Sequence, residues 1–262
     1  MYGWALQMHN PTFRVVSVLN LISASKNGIT LAECSRMLAI PSGTLYPILQ
    51  TLYKKSYLQY DQASYRYTVG SHLFLAGINY VSNSQPYENA QKVLQRIVNA
   101  CGETAHWGVL VDGNVLYFAK ADSQETVRMY SAVGKTLPAY ATALGKALLS
   151  HAAMEELKAL YPEGLRKLTE ATVNNVELLY EQLQAVKKDG FAYEWEESNK
   201  DICCIAVPVL IERTVVSALS VAVPAFRYTD EKKECIKTCL IHAADEAVKI
   251  VPYLNLSENY LL

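Results

Sequence analysis

The sequence predicts an α+β chain in two parts: a small head of three helices closed by a β-hairpin, and a larger body whose helices lie on an antiparallel sheet. Three observations predict it. Apolar residues recur at helical spacing within the first sixty residues, tyrosine-rich strands then flank a polar turn, and beyond Gln85-Pro86 hairpins alternate with helices. At 262 residues, 51% hydrophobic and 19% charged, the chain is long enough for two cores and too apolar for a disordered class.

The elements follow in order. Val15, Val18, Leu19 and Ile22 stand at i, i+3, i+4 and i+7, which predicts a helix over 12–25, entered from Asn10-Pro11 and closed by Lys26-Asn27-Gly28. Thr30-Leu31-Ala32-Glu33 reads as a capping box opening a second helix that runs to about Leu38. After Ala39-Ile40-Pro41 comes a third helix with Leu45, Ile48, Leu49 and Leu52 on its buried face. Strands at 57–60 and 65–68 flank the turn Asp61-Gln62-Ala63-Ser64. Three helices with a tight turn before the third, then a hairpin, is the winged helix-turn-helix order, in which the third helix enters the major groove. Residues 71–83 read as a connecting helix. In the body the pattern predicts helices over 87–101, 143–151, 176–188 and 230–251. Strands are expected over 104–111, 115–121, 126–132, 191–195, 203–210 and 215–223.

Charge supports the division. Residues 1–80 hold six basic side chains (Arg14, Lys26, Arg36, Lys54, Lys55, Arg66) against Glu33 and Asp61, whereas the remainder holds 18 basic and 23 acidic residues. A basic head on an acidic body suits binding of a polyanion by the head alone. The first twenty residues show no secretion signal. The longest apolar runs, 202–211 and 215–223, are too short to span a bilayer, so no membrane partner is expected. Six cysteines in such a chain read as reduced thiols, and the expected location is the cytoplasm.

The run Gly134-Lys135-Thr136-Leu137-Pro138-Ala139-Tyr140-Ala141-Thr142-Ala143-Leu144-Gly145-Lys146-Ala147-Leu148-Leu149 resembles the IclR family of transcription regulators. Gly102-Glu103-Thr104, Asp189-Gly190-Phe191-Ala192, Glu196-Glu197 and Ile205-Ala206-Val207-Pro208-Val209 resemble it too. The resemblance runs from about Thr12 to Val251. It implies a winged helix-turn-helix DNA-binding domain over 1–70, a linker helix over 71–84 and a GAF-like small-molecule effector domain over 85–262. It also implies homodimers, often paired into homotetramers, that bind double-stranded operator DNA and regulate genes for uptake or breakdown of small organic acids, sugars or aromatic compounds, with a small organic acid or an aromatic or hydroxylated metabolite as the expected effector. The third helix departs from that pattern: Ser42-Gly43-Thr44-Leu45-Tyr46-Pro47-Ile48-Leu49 is similar to the recognition helix of the PadR family, with Ser42 and Pro47 where basic residues are common. Either Ser42 or Thr44 could cap it.

The candidate DNA-binding residues are Ser42, Thr44, Tyr46, Gln50 and Lys54 on that helix and Arg66 in the wing. Gln50 suits a bidentate pair to adenine, and the two cations suit phosphates. The positions matching the family's effector pocket are Met129, Leu137, Ala143, Leu144, Glu194, Cys204 and Ser220. There the helix after Tyr140 would offer amides to a carboxylate, while Glu194 would oppose one. Cys235, Cys239 and His242 share a helix face without an evident fourth ligand, so no metal and no cofactor is expected. No nucleophile–base set is legible, and the chain is read as a regulator without catalytic residues. Two other readings stay open: a GAF-like enzyme carrying a DNA-binding head, and a DNA binder that needs no ligand.

Overall fold

The computed structural model describes residues 9–254, which form two compact units dividing between Ser84 and Gln85. In the first unit, α1 (Asn10–Ser23) carries Pro11 in its first turn, where a missing amide costs nothing. The chain then turns at Gly28. Its φ is +70°, and a Cβ there would lie 2.7 Å from the Tyr67 carbonyl oxygen, so only glycine fits. A two-residue strand, β1 (Ile29–Thr30), leads into α2 (Leu31–Leu38). The capping box forms as expected: the Glu33 amide donates to Thr30 Oγ1 at 3.2 Å, and the Thr30 amide to Glu33 Oε2 at 2.8 Å. Ala39, in the left-handed region at φ +52°, ends α2 and aims the chain into α3 (Ser42–Lys54). Val18, Ile22, Leu45, Leu49, Leu52 and Leu58 share one core. The hairpin β2 (Leu58–Asp61) and β3 (Arg66–Val69) gains β1 as a third strand, pairing Ile29 with Tyr67 and Thr30 with Arg66. The helix α4 (Ser71–Asn83) buries none of its residues.

The second unit opens with α5 (Gln85–Cys101), whose Tyr87, Ala90, Val93, Leu94, Ile97 and Val98 form an apolar stripe. Its sheet is antiparallel, in the order β6-β5-β4-β9-β8-β7. The strands are β4 (Thr104–Val111), β5 (Asn114–Ala121), β6 (Thr136–Pro138), β7 (Ala192–Trp195), β8 (Ile202–Ile211) and β9 (Thr214–Pro224). Strand alternation sorts the residues, with one switch on β5 where the register shifts opposite Trp107 and Gly108. Ala105, Trp107, Ala119, Ile205, Val207, Leu219 and Val221 pack with α5 and α9 (Asp230–Ile250). On the opposite face Tyr117, Cys204, Ala206, Ala218 and Ala222 pack with α6 (Ala143–Leu148) and α8 (Val176–Asp189). Between those two helices lies α7 (Met154–Leu160), whose Leu157 joins the same core.

Three sequence expectations need correction. Residues 126–132 are not a strand: the chain leaves the sheet after Ala121 and rejoins it at Thr136. The segment is held by side chains instead, Arg227 Nη2 donating to the Val127 carbonyl (2.9 Å) and Lys120 Nζ to the Ser131 carbonyl (2.7 Å). The helix expected over 143–151 stops at Leu148 after six residues. And α3 begins at Ser42 behind Pro41, with no side-chain cap, so neither Ser42 nor Thr44 caps it and Pro47 lies inside the helix. Without a Pro47 amide, the Gly43 carbonyl lacks its helical donor.

Candidate nucleic-acid interface and effector face

On α3, burial of Leu45, Leu49 and Leu52 against the head core turns Ser42, Tyr46, Tyr53 and Lys54 outward. Thr44 and Gln50 are half-buried. The Gln50 amide is oriented by the fold, its Nε2 donating to the Tyr67 hydroxyl at 3.2 Å, and Tyr67 in turn packs on Tyr60 with ring centroids 4.7 Å apart. Five of the six expected DNA-contact residues thus lie on one helix, three of them fully outward. Arg66 behaves differently. Its Nη1 donates to the Gly28 carbonyl at 2.7 Å, and both terminal nitrogens meet the Glu33 carboxylate at 3.1 Å. The expected phosphate contact of Arg66 does not follow from this geometry, because the guanidinium already ties the wing to the capping box and to the turn at Gly28. That pairing, after the two hydrogen bonds from Thr30, helps hold the Glu33 carboxyl below the usual range.

In the second unit the register builds two adjacent rows across the sheet, Glu194–Cys204–Ala222–Thr104 and Ala192–Ala206–Ser220–His106. Ala143, Leu144, Met129 and Cys204 belong to the apolar cluster above these rows, and Leu137 is half-buried against it. The expected effector residues therefore lie on one side of the sheet: Cys204 and Ser220 on interior strands, Glu194 on the edge strand β7, Leu137 on the opposite edge strand β6, two on α6, and Met129 in the segment that leaves the ladder. Gly108 lets Leu144 lie close to the sheet, since a Cβ there would stand 2.6 Å from Leu144 Cδ2 and the leucine would have to move. Gly145 is required, because its Cβ would lie 2.1 Å from the Ala139 carbonyl oxygen.

Polar groups on this face are few and sealed. The Glu194 carboxyl is 1% exposed; its Oε1 accepts from the Ser198 amide (2.9 Å) and hydroxyl (3.0 Å), while Oε2 has no hydrogen-bond partner. Burial pushes this carboxyl above the usual range, an effect that Ser198 and the adjacent Cys204 thiol soften and the Glu197 carboxyl reinforces. The Cys204 thiol is raised in turn, by burial first and then by Glu194. His106, buried beside Tyr117, lies 2.8 Å from Ser131 Oγ through Nε2; burial and then Lys120 pull its pKa down to about 3. At the start of α6, a helix of six residues, the Gly145 amide is bonded to Thr142 Oγ1 at 2.9 Å.

Sequence reasoning missed the ion pair that anchors this face. Lys146, 2% exposed on α6, meets the Glu197 carboxylate and donates to the Tyr193 carbonyl at 3.4 Å. The Val173 amide donates to Glu197 Oε2 at 3.4 Å, and Thr172 Oγ1 to the Glu197 carbonyl at 2.6 Å. A lysine three positions after Ala143 in an otherwise apolar helix was the available signal. Among the described residues, no group of three or more His, Cys, Asp or Glu side chains is placed to hold a metal ion. Among them, too, no helix is long and apolar enough to cross a membrane.

A helix-turn-helix head in one chain with a second domain built on an antiparallel sheet is the arrangement of a DNA-binding regulator. Comparison with known proteins agrees. The IclR helix-turn-helix domain matches residues 12–62, and the family of bacterial transcriptional regulator IclR C-terminal domains matches residues 78–248. The HTH-type transcriptional regulator BhcR of Paracoccus denitrificans is 30% identical over 235 residues, which is 89% of this chain and 84% of that protein. The crystal structure of an IclR transcriptional regulator from Alicyclobacillus acidocaldarius superposes with a TM-score of 0.75 at 26% identity, covering 93% of this chain and 99% of that one. An IclR homolog from Microbacterium hydrocarbonoxydans, complexed with 4-hydroxybenzoate, shares the fold at a TM-score of 0.68 and 21% identity, over 91% of this chain and 99% of that one. The chain belongs to the IclR family of transcriptional regulators. It is a DNA-binding transcriptional regulator of that family.

Proposed function

We propose that this regulator reads a pseudo-palindromic operator as a homodimer in the cytoplasm, and that its second domain binds its effector without turning it over. The outward face of α3 supplies the readout. Tyr46 and Gln50 meet base edges, Ser42 and Thr44 the bases or sugar near the start of the helix, and Lys54 a phosphate. A single helix per chain reads too few base pairs for specificity, which supports the two-fold assembly. Arg66 serves the wing by fixing it to Glu33. The effector sits among Met129, Leu137, Ala143, Leu144, Glu194, Cys204 and Ser220. The observation that carries this assignment is the Glu194 oxygen, sealed from solvent and unpartnered, on the side of the sheet where all seven residues lie. A buried polar atom without a partner costs roughly 1–3 kcal/mol, and a bound molecule would satisfy it. The test is operator binding by the full chain, measured by fluorescence anisotropy on DNA selected from a random pool, with and without a panel of small acids, alcohols and phenols. A two-fold symmetric selected site and at least one compound that shifts affinity are expected. An asymmetric site, or no response to any compound, would overturn the corresponding half.

A further inference from the structure

Two thiols stand one helical turn apart where α5 and α9 pack, on the side of the sheet away from the effector face. Of the six cysteines, Cys34, Cys101, Cys203 and Cys204 are buried, whereas Cys235 and Cys239 on α9 are half-buried. Residues four apart on a helix are surface neighbours, with about 5–6 Å between their Cβ atoms. Both side chains pack against the apolar cluster that holds Cys101, the last residue of α5. Cys235 Sγ lies 3.7 Å from the Ala100 carbonyl oxygen, and Lys232 Nζ donates to the Cys101 carbonyl at 2.8 Å, so the end of α5 is fixed beside the pair. The electrostatics agree with this closeness. Burial raises the Cys239 thiol and Cys235 raises it further; burial pushes Cys101 up to about 11, with Cys239 and Cys235 adding to the shift. Next to the pair runs a groove of about 230 Å³, walled by Val93, Ile97, Cys239, His242 and Ala243. Arg96, at its rim, is paired with Glu246.

We propose that Cys235 and Cys239 form a chelating site for trivalent arsenic, with a hydrocarbon substituent on the arsenic seated in the adjoining groove. Thiol sulfur selects soft partners. A tetrahedral metal ion would need two further ligands, and among the described residues no group of three or more His, Cys, Asp or Glu side chains is placed to hold one. An arsenic atom that already carries one carbon needs only two sulfurs. With an arylarsine oxide, the bonds from arsenic to oxygen break, two arsenic–sulfur bonds form, and both thiol protons leave with the oxygen as water. Arsenic stays trivalent, so no oxidant or reductant is required. Chelation supplies the retention: when one sulfur lets go, the other keeps the arsenic at high effective concentration, whereas a single thiol is exchanged by any monothiol in solution. The other cysteines make no such pair. Cys203 and Cys204 are consecutive on β8 and point to opposite faces of the sheet, Cys34 lies in the first unit, and Cys101 is only 4% exposed.

The experiment treats the reduced, folded full chain with phenylarsine oxide, removes the excess, and reads adducts by intact-mass spectrometry. One phenylarsenic adduct per chain is expected. It should survive incubation with excess glutathione, a monothiol, and be removed by dimercaptopropanol, a dithiol. Cys235→Ala and Cys239→Ala should each retain at least tenfold less adduct after glutathione, because either change leaves a single sulfur. Cys101→Ala should retain as much as wild type. No adduct on the wild-type chain, or an adduct that glutathione strips, overturns the proposal. So does a glutathione-resistant adduct in either α9 variant, or its loss from a Cys101→Ala chain that keeps the wild-type circular dichroism. The glutathione comparison is made on the wild-type chain, so the result does not depend on a variant folding. Nothing in it draws on the Glu194 face, and the effector reading stands or falls separately.

Discussion

Arg66 and Lys54 carry the same charge in the same basic head, and the structure gives them different work. Lys54 is exposed at the end of α3, so Lys54→Ala should weaken binding to every sequence and lower the salt slope by about one unit, read from anisotropy titrations across salt concentrations. Arg66 is engaged by Glu33 and the Gly28 carbonyl, so Arg66→Ala should lower the melting temperature by a few degrees and leave the salt slope unchanged. A lowered slope in Arg66→Ala would return that residue to the phosphate contacts. Sequence alone could not separate the two, because the partner of Arg66 lies 33 positions away across a strand pairing. The same limit hid His106. Its pKa of about 3 in the fold, against an ordinary value near 6.5, means that the unfolded chain takes up a proton which the native one refuses. The resulting stability is fully present above pH 6.5 and is lost as pH falls toward 3, with a slope approaching about 1.4 kcal/mol per pH unit. Denaturant titrations from pH 7 to pH 4 should show His106→Gln losing less stability than wild type over that window, even if it starts lower.

Among the elements, those with a strong apolar period were legible and those held by single side chains were not. The stripe Val15, Val18, Leu19 and Ile22 fixed α1, and the reciprocal Thr30–Glu33 bonds fixed the start of α2. Residues 126–132 misled because Met129 and Ser131 are both buried two positions apart, an alternation that an extended segment lying over a buried face satisfies as well as a strand does. With two residues, β1 is too short for any period to show. The Gly134–Leu149 run pointed to the face on which the candidate effector residues lie but not to its polar support, since Lys146 and Glu197 meet across 51 positions. Pro47 is where element and function pull against each other. Ala at this exposed position would restore the amide bond to the Gly43 carbonyl, and Pro47→Ala should stabilise the head by about 1–3 kcal/mol in denaturant titrations. If the operator contacts depend on the start of α3 as the proline sets it, the same variant should bind selected operator DNA less tightly. Tighter binding would show that Pro47 only weakens the helix.

At the scale of the whole molecule, an effector held on the Glu194 face as proposed would make that face and the head one thermodynamic system of two sites. The head carries the basic excess and the second unit the acidic excess, so operator affinity comes from the first, and the effector acts only by preferring one operator-binding state of the protein over another. Such couplings are typically about 1–3 kcal/mol, a change of roughly 5- to 150-fold in affinity. They are also reciprocal. Whatever factor the effector applies to operator affinity, saturating operator must apply to effector affinity, with the same sign. The measurement is a closed cycle on the full chain: operator affinity by anisotropy with and without saturating effector, and effector affinity by calorimetry with and without saturating operator, at one salt concentration and one pH. Equal factors are expected. An effector that alters operator binding while operator leaves its affinity untouched would mean that the compound acts on the DNA, or on chains that have left the operator-bound assembly, and the coupling would then not run through the Glu194 face.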